Sequence, residues 1–324
     1  MKKINALFPL LFACTMISTT HAQWIRPDPT EEARARAAWG IVGGMSIGLA
    51  PLPGPRGLVR IYTPYLGQRE NRVMNFIAIE PIVGGERDLS ELEPSPFDSK
   101  PGKRLWATDD LDADSSSYTP VPAHGVASSD GPVEQLHVFI HVERFHNGAE
   151  PIIEAIFRSD RPDEVALKTF ASSSSAPMQS CVLTATMGNF ARLRHLHLNS
   201  RTIEAADILR DQQLDPASFF PWFSWPASEM SHDGGNLVVS ATGDIETATP
   251  DDVPRGWRYE GASAVQTWST PDRPGVVVRV NGRSEFWASK ARVPGGPAFE
   301  NFELLSPFAS GQEFVFRIAP EARP

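Results

Sequence analysis

Two arginines and two histidines alternate along Asn189-Phe190-Ala191-Arg192-Leu193-Arg194-His195-Leu196-His197-Leu198-Asn199. In an extended chain successive side chains point to opposite faces. His195 and His197 then share a side with Leu193, while Arg192 and Arg194 share the other with Leu196 and Leu198. An arginine pairs with a planar carboxylate through two parallel hydrogen bonds. That pairing stabilises the charge that builds when a proton leaves the carbon beside a sugar carboxyl group. A neutral histidine suits the abstraction of that proton, and a tyrosine suits protonation of the departing oxygen. With Arg192 or Arg194 as neutraliser, His195 or His197 as base and Tyr259 or Tyr65 as acid, the sequence predicts elimination on an acidic glycan. That is the chemistry of a polysaccharide lyase.

A second set lies in Gln135-Leu136-His137-Val138-Phe139-Ile140-His141-Val142-Glu143. Here His137, His141 and Glu143 fall opposite the row Leu136, Val138, Ile140 and Val142. They are candidate substrate contacts, and a solvated outer strand face reads the same way. Two imidazoles one residue apart can meet one ion, so zinc on His195, His197 and a ligand from this second set is an alternative. The chain lacks the close cysteine pairs and the His-Glu-x-x-His pattern that mark zinc sites. Asp109, Asp110, Asp112 and Asp114 offer oxygen ligands for calcium, without the glycine and terminal glutamate of the helix-loop-helix pattern. No cofactor is therefore required.

Phe219-Phe220-Pro221-Trp222-Phe223-Ser224-Trp225-Pro226 packs five rings beside two prolines. Prolines keep such a run out of a regular helix or a central strand. Trp222 and Trp225 can stack on sugar faces, or the same rings can plug the core. Asn236, beside His232, Asp233 and the flexible Gly234-Gly235, is a further sugar contact. Hydrolysis would need two carboxylates about 5 to 10 Å apart. Glu80, Glu91, Glu229, Glu260, Glu285, Glu300 and Glu303 are candidates, and no spacing in the sequence pairs them. Cys181 has no neighbour that would activate its thiol, so it reads as a buried, inert group.

The elements that position these residues read as strands. Val73 to Ile79, Leu136 to Val142, Glu150 to Phe157, Val165 to Phe170, Val276 to Val280 and Phe314 to Ile318 are short apolar or alternating runs bounded by turns. Pro81 and Gly84-Gly85 should end the first of these. Ala107 to Asp130 reads as a surface loop or small excursion, and Glu31 to Trp39 as the best short helix, with acids first and arginines later. The 29 prolines and 24 glycines argue against long helices. The fold class is all-β: an antiparallel β-sandwich, in its larger form a multi-sheet one, with short edge helices.

Met1-Lys2-Lys3, the apolar stretch to Ile17 and Thr20-His21-Ala22 form a secretory signal pattern over 1–22. The alternative box Leu11-Phe12-Ala13-Cys14 would leave a lipid-anchored chain. Residues 23–324 then form one large β-rich domain, with Ser172 to Ser175 marking where a subdivision near 171–176 would fall. After cleavage Cys181 is the lone cysteine, so no internal disulfide forms. The formal net charge of -9 excludes a phosphate-gripping nucleic-acid binder. No later apolar stretch has the roughly 20 residues of a transmembrane helix. The partner these residues imply is a polysaccharide or oligosaccharide, and oligomeric state is not encoded legibly. The expectation is an exported, carbohydrate-active protein, with a non-catalytic binding or envelope-associated β-sandwich and a glycoside hydrolase as alternatives.

Overall fold

The structure, a computed structural model, describes residues 22–28, 36–52, 55–64, 72–113, 122–186, 193–209, 221–243, 264–285, 292–293 and 295–320. These form 21 antiparallel strands, one short α-helix, Ala205–Leu209, and one 3-10 turn, Ala227–Glu229. The strands make one continuous ladder that folds over into two layers, an antiparallel β-sandwich.

The first layer runs in the order Trp24–Ile25, Ala38–Ile41, Ser46–Gly48, Leu58–Thr63, Arg72–Val83, Ser180–Thr186, Ala298–Leu305, Val277–Arg283 and Phe223–Pro226. The second begins with Leu105–Thr108 and Val126–Asp130, both paired to Val133–Val142. It continues through Pro151–Arg158, Arg161–Ala171, Gln312–Pro320, Ala264–Pro271, Asn236–Gly243, Leu193–His197 and Thr202–Glu204. The layers join at the Leu193–Phe299 pair.

Alternation explains the core. Ile77 and Ile79, Cys181 and Leu183, and Val278 and Val280 face inward from the first layer. Leu136, Val138 and Ile140, Ile153 and Ala155, and Phe314 and Phe316 meet them from the second. Polar groups tie the layers through this apolar interior. Trp268 Nε1 donates to the Phe302 carbonyl at 2.9 Å, and Asn75 Nδ2 donates to Gln266 Oε1 at 2.7 Å. Burial without such partners would cost roughly 1–3 kcal/mol per group.

Three local expectations are corrected. The end of the expected helix over Glu31 to Trp39 is extended: Ala38–Ile41 pairs with Ser46–Gly48, and Trp39 is fully buried. Burial of an indole outweighs a weak helix propensity; residues 31–35 lie outside the described set. The strand starting at Arg72 runs through Pro81 to Val83. Proline keeps an extended φ, and its carbonyl is taken by Asp88 N at 3.2 Å and Asn147 Nδ2 at 3.1 Å. The expected loop of Ala107 to Asp130 contains the edge strand Val126–Asp130, whose five residues are all exposed. A strand with no inward row leaves no apolar signature.

Candidate functional site

Arg192 and Tyr259, like Tyr65 and Phe219, lie outside the described residues. The rest of the arginine–histidine set is placed. A register shift between Leu193 and His195 leaves Arg194 as an extra residue, which corrects the simple alternation. Leu193 consequently joins Leu196 and Leu198 in the core, while His195 and His197 stay together outside, with ring centres 6.5 Å apart. His195 Nδ1 lies 2.6 Å from Glu204 Oε2. His197 contacts Thr202 Oγ1 at 3.2 Å and Thr242 Oγ1 at 2.8 Å. Arg194 turns elsewhere, its Nη2 donating to the Gly296 carbonyl at 3.4 Å.

The second set does not stand as one open face. His137 Nδ1 meets Glu154 Oε1 at 2.8 Å, and its Nε2 meets Ser128 Oγ at 3.0 Å. His141 is buried, stacked on Trp106 at 5.7 Å and bonded to Thr108 Oγ1 at 2.9 Å. That burial lowers its pKa and favours the neutral ring. Glu143 lies past the strand end, buried, accepting from Ser95 Oγ and Arg104 N, each at 2.9 Å. Five strands intervene between Val133–Val142 and Leu193–His197 in the second layer, about 29 Å along a sheet spaced at about 4.8 Å. The two sets therefore do not share a zinc ion.

Among the described residues no group of three His, Cys, Asp or Glu is arranged to hold a metal. Asp109 instead accepts Gly125 N at 2.6 Å and His124 N at 3.3 Å, and Asp110 accepts Asp112 N at 3.0 Å. Asn236 begins the strand that pairs with His195 near its other end, at Thr242. Six residues, about 20 Å, separate the two positions. Trp225, on the strand Phe223–Pro226, packs partly buried against the core. Cys181 is buried, and burial, with Glu80 adding, pushes its thiol up to about 12.

The densest chemistry lies elsewhere, on the outer face of the first layer. Thr184 pairs with Glu303, and Glu303 with Arg279, which puts their side chains in one row across three strands. Glu80 lies two residues along the next strand, level with Val182. Arg87, just past the Gly84-Gly85 turn, reaches back over this row. Its guanidinium bonds Glu80, and donates to Glu303 Oε1 at 3.0 Å and Oε2 at 2.6 Å. The Thr184 hydroxyl donates to Glu303. Trp222, the one residue here that the sequence marked for sugar stacking, covers the cluster. Its ring centre lies 4.8 Å from the Arg87 guanidinium carbon and 4.4 Å from that of Arg279.

Burial sets the electrostatics. It raises Glu80 well above the ordinary carboxylate range, against the pull of Arg87 and with a push from Glu91 and Glu303. Burial likewise raises Glu91. Burial alone would lower Arg87, yet Glu303 and Glu80 outweigh it and hold the guanidinium charged. Arg279 is lowered by burial, opposed by Glu303. The arrangement presents a part-exposed indole fixed on two guanidiniums, themselves fixed on buried carboxylates. Glu80, Glu91 and Glu303 were legible as carboxylates. Their grouping, and the parts of Arg87, Arg279 and Thr184, follow from strand register across as many as 216 residues.

No family model matches the chain, and no curated protein or solved structure matches it either.

Proposed function

We propose that the chain is an exported carbohydrate-active protein that binds a glycan on the outer face of the first layer, with Trp222 as its platform. The observation that supports this reading is the stack of Trp222 on Arg87 and Arg279. A sugar ring offers an apolar face and a polar rim, and a part-exposed aromatic ring beside fixed hydrogen-bonding groups complements both. Rigidity matters because a platform that is already ordered costs less on binding. The basic and apolar residues Met1 to Ala22 support export.

Elimination on an acidic glycan is the second reading, and the His195–Glu204 contact favours it. A carboxylate on Nδ1 fixes the ring and its tautomer, as a general base needs. The deciding experiment is a screen of neutral and acidic polysaccharides, each scored for retention and for new unsaturated uronate ends. Binding predicts retention of at least one polymer, weakened about tenfold by Trp222→Ala. Elimination predicts an absorbing product that disappears in His195→Ala. A wild-type protein that retains no polysaccharide and releases no product would remove both readings.

A further inference from the structure

Arg279 is the least committed cation of the Trp222 cluster. Its Nε lies 3.5 Å from Glu303 Oε1, longer than the roughly 2.7–2.9 Å of a good charge-assisted bond. Glu303 is already occupied: both its oxygens accept from Arg87, and one also accepts from Thr184. Among the described residues nothing takes a closer bond from the Arg279 guanidinium, whose side chain is 16 % exposed. Ser224, level with Arg279 on the neighbouring strand, is exposed and uncharged. A guanidinium carries five N–H donors in a planar fork, and here most of that fork is left for solvent or a ligand.

We infer that Arg279 and Trp222 form a subsite for the carboxylate-bearing ring of an acidic glycan, a uronate residue. The inference rests on the glycan reading above and specifies its ligand. The carboxylate would accept two parallel N–H groups from Arg279 while the ring face lies on the indole. Local charge supports an anion here. Burial raises both Glu80 and Glu91, which lessens the negative charge set against the two guanidiniums. Every other group in the row, Thr184 and Ser224 included, is neutral.

The test measures calorimetric binding of an oligogalacturonate and of its methyl ester to the full-length mature protein. The wild type should prefer the free acid by about tenfold or more, the scale of a hydrogen bond to a charged group. Arg279→Met should erase that preference, bringing acid and ester to equal affinity, and Arg279→Lys should keep part of it. If Arg279→Met fails to fold, Ser224→Glu supplies a competing carboxylate from an exposed position, and should erase the preference equally. Equal affinity of the wild type for acid and ester, or a preference that survives Arg279→Met or Ser224→Glu, would overturn the subsite. Retention of neutral polymers alone, through Trp222, would overturn it and leave the glycan reading standing. Retention of no polymer at all would remove both.

Discussion

Glu80, Glu91 and Glu303 outnumber the two guanidiniums they face, so the cluster is not neutral when every acid is ionised. Burial makes the excess negative charge costly, and a retained proton is the least expensive remedy. Glu80 carries the upward displacement, which fixes the sign of its effect on stability. In the folded chain it keeps a proton that the unfolded chain loses near its ordinary value of 4.5. Its contribution is complete below that value and is lost as pH climbs through the raised one. The melting temperature should accordingly fall from mildly acidic toward neutral pH. Glu80→Gln, a neutral isostere, should flatten that slope; a Gln variant as steep as the wild type would show that Glu80 does not hold the proton. Its carboxyl was visible in the sequence, whereas its environment is made by Glu303, Arg87 and Glu91, which no local pattern places beside it.

At the scale of elements, the outer face of the first layer is usable only because the segment from Arg87 to Arg104 is held against it. Ser90 accepts Ile79 N at 3.0 Å through its hydroxyl, which also donates to the Gly57 carbonyl. Lys103, fully buried, pairs with Glu93 at 2.5 Å and donates to the Arg144 carbonyl at 2.8 Å. Glu143 closes the far end through Ser95 and Arg104. The sequence offered Glu143 as a substrate contact, since alternation assigns a side and says nothing of what later covers it. Glu143→Ala removes the carboxylate that accepts from the Ser95 hydroxyl and the Arg104 N–H. It should cost about 1–3 kcal/mol in urea unfolding and open the segment to proteolysis between Glu93 and Arg104. A variant as stable and as resistant as the wild type would show the segment is held by other contacts. Where the inward row was unbroken, as in Leu136, Val138, Ile140 and Val142, the strand was legible. It was illegible in Val126–Asp130, which has no buried row, and at Arg194, where one extra residue shifts the pattern.

For the whole molecule, the serine run Ser172 to Ser175 marks a seam that strand pairing crosses once in each layer. Ser180–Thr186 follows that run, yet pairs with Arg72–Val83 before it. Gln312–Pro320, near the C-terminal end, pairs with Arg161–Ala171. A cut at 171–176 would part each layer at one strand pair, Arg72–Val83 from Ser180–Thr186 and Arg161–Ala171 from Gln312–Pro320. Trp268–Phe302 and Asn75–Gln266 add buried polar ties between the layers, each useless once the other layer is lost. Pairing across the run in both layers, with the Asn75–Gln266 bond, favours all-or-none unfolding. The prediction is a single calorimetric transition whose van't Hoff and calorimetric enthalpies agree, with Trp fluorescence and far-UV circular dichroism changing together in urea. Trp268→Phe should move that one transition down, by roughly the 1–3 kcal/mol of a lost buried hydrogen bond, and keep it single. Two resolved transitions in the wild type would mean that each layer, or each side of the serine run, buries enough surface to stand alone, which the crossed pairing of Ser180–Thr186 and Gln312–Pro320 argues against.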